Sequence, residues 1–372
     1  MTQEPLFICS SEYSIDAIMK ILKPIAAAAI TLICLFVLNR VFTPKYIKEN
    51  TDGRITGEFY TQAKDPDVVF LGASTVHYCV SPDHMWKTSG FTSYDRSNAS
   101  QTMWQSYYML KDTLSVTRPS LVVLDVSFVR NGEEFIEEPS SRKAIDGMRD
   151  PLAKLGAAMS SKGEDEQVIS YFLPVLRFHS RWKELDRDDW VYAFKRIDVT
   201  HDGYLMDFSI AKEQHIYENT EPPLPAFPEK SADYLNRIIR ECADKGIPLF
   251  LMRTPSFQTG WYDEYDEMMD DLCEKEGLAY VNFTKKVEDI GIDVRRDYID
   301  DGQHMNVVGA HKFSEYLGGY LRDNYELPFH DNDAVSDSWN RKLLAYESAV
   351  EAGMADYESA VEALDIKEDG DI

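Results

Sequence analysis

The chain has 372 residues and a net charge of −25, with 44% hydrophobic and 28% charged residues. That length and balance suit one large globular domain or two smaller ones. The acidity excludes broad binding to nucleic acid or another polyanion, which needs basic patches. Five cysteines, Cys9, Cys34, Cys79, Cys242 and Cys273, match no zinc or redox spacing, and the eight histidines show no metal-ligand pairing with acids. No cofactor or metal is expected.

Near the N-terminus, Ile25 to Leu38 is apolar apart from Thr31, and Ile21, Leu22, Val41 and Phe42 extend the run. It reaches the ~20 residues of a membrane span when Lys23-Pro24 or Asn39-Arg40 are placed at its edges. No small-residue cleavage pattern follows, so the reading is an uncleaved signal anchor over 21–42 behind a cytoplasmic N-terminus, 1–20. Lys20 and Lys23 before the span nearly balance Arg40, Lys45 and Lys48 after it, so charge alone does not orient it. Residues 43–63 read as a stalk.

Beyond residue 64 strands and helices alternate. Val68–Leu71, Leu121–Val126, Pro248–Met252 and Ala279–Phe283 are short apolar runs that suit strands buried on both faces. A short helix opens at Ser81-Pro82-Asp83, and helical spacing runs through 100–115, 231–244, 261–276 and 307–323. This rhythm predicts a doubly wound, three-layer α/β fold with a mainly parallel sheet over 64–328. Residues 128–228 interrupt the rhythm and read as an insertion. Its aromatic and basic stretch at 171–182 makes Arg177, His179 and Arg181 candidate substrate-binding residues. Tyr-Glu-Ser-Ala-Val-Glu-Ala occurs at 346–352 and again at 357–363. A period of eleven residues keeps Tyr346, Val350, Tyr357, Val361 and Leu364 on one stripe of a helix. Residues 329–372 are therefore expected to be an acidic helical tail that docks on its own domain or is solvated, pairs with a copy of itself, or serves as a partner handle.

Two segments carry chemistry. Val68 through Ser74 is an apolar strand that stops at Gly72-Ala73-Ser74, which puts a serine at the carboxyl edge of a sheet, where open α/β folds bind ligands. Asp301-Gly302-Gln303-His304 puts an acid three residues before a histidine, just ahead of the last helix. A serine hydroxyl needs a base to become a nucleophile, and the base needs an acid to orient it.

With these motifs, the chain resembles the SGNH (GDSL-type) hydrolase superfamily, in a membrane-anchored bacterial branch similar to teichoic-acid D-alanylation and polysaccharide O-acetylation proteins. The pieces that carry the resemblance are Val69 through Thr75, Tyr94 through Tyr108, Arg118 through Asp125 and Asp300 through Leu317. The resemblance implies Ser74 as nucleophile, His304 as general base and Asp301 as orienting acid, with Asp300 the runner-up because the spacing can slip by one. It implies a flavodoxin-like fold, an extracytoplasmic domain, an ester-bearing carbohydrate or teichoic-acid-like substrate at the cell envelope, and a multispanning membrane acyltransferase as partner. The family's oxyanion donors, a Gly in a second block and a Gly-x-Asn-Asp in a third, are not matched. The second block reads Asp95-Arg96-Ser97-Asn98-Ala99-Ser100-Gln101, and the third reads Ser127-Phe128-Val129-Arg130. Asn98, Ser100 and Gln101 are the candidate donors beside the Ser74 amide. The expected activity is a serine esterase or O-acyltransferase. The alternative is a non-catalytic protein that keeps the fold to scaffold an envelope assembly.

Overall fold

A computed structural model describes residues 15–45, 54–63, 65–135, 138–195, 198–212 and 215–370. The expected cytoplasmic segment before residue 15, and Cys9 with it, lie outside them. The chain divides into two compact units, one made of residues up to 44 with 173–196, the other of 45–172 with 197–372.

In the first unit, α1 (Ile15–Phe42) contains a stretch, Ile18–Phe42, long and apolar enough to cross a membrane. The short helices Val175–Phe178 and Arg187–Phe194 and the 3-10 turn His179–Lys183 pack against it.

The second unit is α/β. Five parallel strands, β1 (Val68–Leu71), β2 (Ser93–Asp95), β3 (Leu121–Asp125), β4 (Leu249–Arg253) and β5 (Ala279–Asn282), lie in the order β2-β1-β3-β4-β5. Successive side chains of a strand point to opposite faces. Val69, Leu71, Val122, Leu124, Leu249 and Leu251 therefore meet one helical layer, which includes the Met103–Leu114 and Glu229–Lys245 helices. Val68, Phe70, Leu121, Val123, Phe250 and Met252 meet the other, built around the Val307–Asn324 helix. Both faces of β1, β3 and β4 are covered, which is why those strands are legible as apolar runs, whereas β5, at the edge of the sheet, is exposed at Ala279 and half-buried from Tyr280 to Asn282, not buried on both faces as expected. The fifth, β2, is Ser-Tyr-Asp and carries no such signal, yet all three residues are buried.

The expected stalk is corrected in part. Arg54–Gln62 forms a helix, α2, whose Ile55 and Phe59 are buried in the second unit. The two apolar residues stand four apart and share one helix face, a pairing too short to register as amphipathic in the sequence. The tail is one long helix, Ala334–Gly370, and it docks on its own body. Tyr346 is buried and accepts a hydrogen bond from the Ser81 hydroxyl at 2.9 Å, while its own hydroxyl lies 2.6 Å from His311 Nε2. Val350, Tyr357, Val361 and Leu364 are half-buried along the same stripe.

Between β1 and the next helix the chain has no room to spare. A Cβ on Gly72 would stand 2.4 Å from Val76 Cγ2 and 2.9 Å from Asp125 Cβ. Replacing Gly72 by Ala must displace one or the other, and overpacking of this kind costs about 1–3 kcal/mol. Urea unfolding of Gly72→Ala should show a lower midpoint at unchanged slope, and a wild-type midpoint would refute this account of the turn.

Candidate active site

In the sheet order β2-β1-β3-β4-β5 the chain winds one way from β1 to β2 and the other way from β1 to β3. The crevice for ligands opens at that reversal, outside the carboxyl ends of β1 and β3. Ser74 stands three residues past the end of β1, as the first residue of α3 (Ser74–Cys79). Its neighbours Ala73 and Thr75 are buried, and Ser74 itself is half-buried. The fold therefore holds the serine backbone on both sides while its side chain reaches the crevice.

The histidine arrives from the opposite end of the chain. The loop that carries it is clamped by a bridge between Tyr298 and Met305 and by the Ile299 amide donating to the His304 carbonyl at 2.9 Å. Asn306 then caps the Val307–Asn324 helix, accepting from the Val308 and Gly309 amides. Asp297, buried beneath the loop, accepts from the Lys312 ammonium and the Asp293 amide, each at 2.7 Å. These ties set the imidazole so that His304 Nε2 lies 2.7 Å from Ser74 Oγ. The Tyr78 ring packs beside it with centroids 5.1 Å apart.

The carboxylate that meets the histidine ring is that of Asp300, the runner-up in the sequence, and not that of Asp301. Asp300 Oδ2 lies 2.5 Å from His304 Nδ1, and its Oδ1 accepts from the Gln303 and His304 amides at 2.8 and 3.0 Å. Asp301 turns away and accepts from the His215 amide at 2.9 Å. The physical reason is local. Gly302 takes the left-handed conformation, φ +77°, with its amide donating to the Asp300 carbonyl. That tight turn folds the chain back so that residue 300, four before the histidine, faces the ring. Burial pushes the Asp300 carboxyl up, but the His304 ring, by hydrogen bond and by charge, and the two amides outweigh it. The net result is a carboxyl below its ordinary value, ionised throughout the neutral range. Ser74, His304 and Asp300 thus form a continuous hydrogen-bonded relay of hydroxyl, imidazole and carboxylate.

The candidate oxyanion donors separate into two groups. Asn98 and Gln101 are buried with their amides committed inward. Asn98 Nδ2 donates to Thr56 Oγ1 at 3.2 Å and to Gln101 Oε1 at 3.4 Å, and Gln101 Nε2 donates to Ser106 Oγ at 3.2 Å. Ser100 is half-buried and takes a left-handed conformation, φ +52°, that a non-glycine residue adopts at a cost. A further group was missed in the sequence. Ser127 is 6% exposed, its Oγ has no hydrogen-bond partner, and its amide donates to Asp125 Oδ1 at 2.9 Å. Leu71 and Leu124 are register partners in adjacent strands, and Ser74 and Ser127 each follow three residues later. The two serines therefore follow adjacent parallel strands at the same register, with the Ser127 hydroxyl buried. Only the register reveals this, since Ser127 alone is an ordinary residue after a strand. The other carboxylate oxygen of Asp125 accepts from the Thr254 amide at 2.7 Å and hydroxyl at 3.0 Å, which fixes the ends of β3 and β4 together.

Arg177, His179 and Arg181 lie in the first unit, apart from the unit that holds Ser74. The Arg181 guanidinium donates to the Phe42 carbonyl at 2.6 Å and to Asp189 Oδ1 at 3.0 Å. Within that unit these residues belong to the segment packed on the end of α1. A cleft of about 480 Å³ does open at the carboxyl ends of β4 and β5, lined by Arg253, Phe257, Trp261, Tyr262, Asp266 and Lys285 among others. The Phe257 amide donates to the Gly302 carbonyl at 2.8 Å, so the cleft borders the loop that carries His304. Among the described residues no three His, Cys, Asp or Glu side chains converge as metal ligands would.

No family model matches the chain, and no curated protein matches it significantly.

The relay separates two neighbouring acids cleanly. Asp300→Asn should slow reaction of Ser74 with a fluorophosphonate probe by ~10³–10⁴, the loss seen when a triad acid can no longer hold the right imidazole tautomer. Asp301→Asn should stay within a few-fold of wild type. The reverse ranking in a labelling time course would reinstate Asp301.

Proposed function

We propose that the protein is a membrane-anchored serine esterase or O-acyltransferase of SGNH type, acting on ester-linked acyl groups of a carbohydrate or teichoic-acid-like polymer at the bacterial cell envelope. The observation that carries this reading is the chain of contacts from Asp300 through His304 to Ser74. The supporting frame is a five-stranded parallel sheet with the serine at its carboxyl edge. One N-terminal helix long enough to span a bilayer favours chemistry at a membrane surface, with the second unit on the extracytoplasmic side. A multispanning acyltransferase as partner rests on the family resemblance alone.

In the proposed mechanism His304 Nε2 removes the Ser74 proton as Oγ attacks the ester carbonyl. The carbonyl oxygen becomes an oxyanion, held by the Ser74 amide, by the backbone near Ser100, and by the Ser127 hydroxyl. Collapse of the tetrahedral adduct returns the proton from His304 to the leaving alcohol and leaves acyl-Ser74. A second alcohol (transfer) or water (hydrolysis) then gives its proton to His304 as it attacks, and collapse returns that proton from His304 to Ser74 Oγ as the acyl group leaves. Asp300 stays ionised and stabilises the imidazolium that forms in each half. Ser127 takes the role that an Asn performs in the resembling family. A hydroxyl donor aimed at an oxyanion is worth ~10²–10³ in turnover when removed.

Fluorophosphonate labelling of the purified chain tests the assignment. Covalent label should appear on wild type, vanish in Ser74→Ala and His304→Ala, and form more slowly in Ser127→Ala. Label that persists in Ser74→Ala removes the nucleophile. No label on correctly folded wild type favours the scaffold alternative.

A further inference from the structure

The segment that interrupts the α/β alternation contains a patch that the proposed chemistry leaves unexplained. Within the first unit, α1 is bare of protein contacts for most of its length: every residue from Ile18 to Cys34 is exposed. From Leu35 onward alternate residues are covered, and Val41 is fully buried. This is the end on which the Val175–Phe178, His179–Lys183 and Arg187–Phe194 turns pack. Polar tethers hold them there. The Val175 amide donates to Asn39 Oδ1 at 3.0 Å, the Arg40 guanidinium donates to the Ala193 carbonyl, and Arg181 reaches the Phe42 carbonyl. Arg40 also sits over the Phe36 and Phe194 rings at 5.5 and 5.7 Å. The two polar residues that end the apolar run, Asn39 and Arg40, are thus the anchor points of a collar.

The outer surface of that collar is apolar where a water-facing surface would be polar. Leu176 is 50% exposed, Trp182 64%, Trp190 53% and Phe194 58%. Trp190 and Phe194 are four apart and share a helix face, while Ala193 points inward and is buried. Lys183, Arg187 and Lys195 are exposed among them. Leu173 to Arg196 carries six basic residues (Arg177, Arg181, Lys183, Arg187, Lys195, Arg196) against four acidic ones (Glu184, Asp186, Asp188, Asp189). That is a net +2 in a chain of −25.

The lengths match this surface to one environment. The 25-residue stretch Ile18–Phe42 would extend about 37 Å at the helical rise, against about 30 Å for a hydrocarbon core. Its last turns, where the collar sits, therefore emerge at headgroup level. Tryptophan is favoured in that zone, with basic side chains reaching lipid phosphates. We propose that 173–196 is a membrane-interface collar, with Leu176, Trp182, Trp190 and Phe194 seated at the boundary of acyl chains and headgroups, and Lys183, Arg187 and Lys195 on the phosphates of anionic phospholipid. It fixes the depth at which α1 leaves the bilayer. The proposal rests on the reading of α1 as a span.

The test reconstitutes the full chain into phosphatidylcholine vesicles, with and without phosphatidylglycerol, using lipids brominated at shallow or deep acyl positions. Tryptophan fluorescence should be quenched more by the shallow bromines than by the deep ones. The Trp182→Phe, Trp190→Phe double variant should lose at least half of that quenching. Both side chains are more than half exposed, so the exchange leaves the packing intact. Phosphatidylglycerol should strengthen the quenching, and Lys183→Glu with Arg187→Glu should abolish that gain. Flotation after an alkaline carbonate wash reports the span separately. A chain that floats while wild type and double variant quench alike keeps its anchor and loses its collar. A chain that does not float loses both. Quenching that appears only after a second membrane protein is added assigns the patch to a protein partner and overturns the proposal.

Discussion

A strand covered on both faces has no place for an unpaired polar side chain, because burying one without a partner costs more than a single stabilising contact returns. That constraint shapes the three central strands. The interiors of β1, β3 and β4 are Val, Phe, Leu and Met, and in them polarity returns only at the carboxyl end, while β2 at the edge departs from it with Ser93 buried. β2 ends on Asp95, β3 on Asp125, β4 on Arg253 and β5 on Asn282, and β1 runs into Gly72-Ala73-Ser74. The carboxyl edge of the sheet thus collects the polar groups that the middle rejects, and the reversal between β1 and β3 opens it to solvent.

The groups on that edge are held by short-range wiring. Asp125 ties the Ser127 amide to Thr254 across two strands, and Asp95 holds both the amide and the hydroxyl of Ser97. The histidine loop is clamped from both sides before the final helix begins. A nucleophile and base that must meet at hydrogen-bond distance gain most from such support, since their own rotamers are then fixed before substrate arrives. The long C-terminal helix adds to this frame in the same layer as the Val307–Asn324 helix, through the contacts of Tyr346 with Ser81 and His311.

The first unit follows a different rule. An apolar helix that ends in Asn39 and Arg40 leaves polar groups needing partners, and 173–196 supplies them from far along the chain. Within the insertion of 128–228, only 173–196, with Arg177, His179 and Arg181, is organised around the end of α1; 138–172 packs into the core of the second unit. Aromatic and basic residues in sequence do not distinguish a lipid headgroup surface from a ligand surface. What separates them is which element the segment packs on, a long-range fact.

Much was legible in the chain alone because it depends on local pattern. β1, β3 and β4 were visible because double-sided burial demands unbroken apolar runs, and β5 was visible by its own short apolar stretch although it lies half-exposed at the sheet edge. The main helices were visible by their 3.6-residue period, the apolar span by its length, and Ser74 and His304 by their positions after a strand and before a helix. β2 was invisible because its burial depends on neighbours and not on its own Ser-Tyr-Asp. Asp300 displaced Asp301 because the left-handed turn at Gly302 decides which of two adjacent acids faces the imidazole, and spacing cannot read a turn. The inward bonding of the Asn98 and Gln101 amides, and the shared register of Ser74 and Ser127, were hidden because hydrogen-bond partners and strand register are set only when distant segments meet. Sequence periodicity records which face a residue buries. Which two residues then stand opposite one another is a property of packing, and only the folded chain decides it.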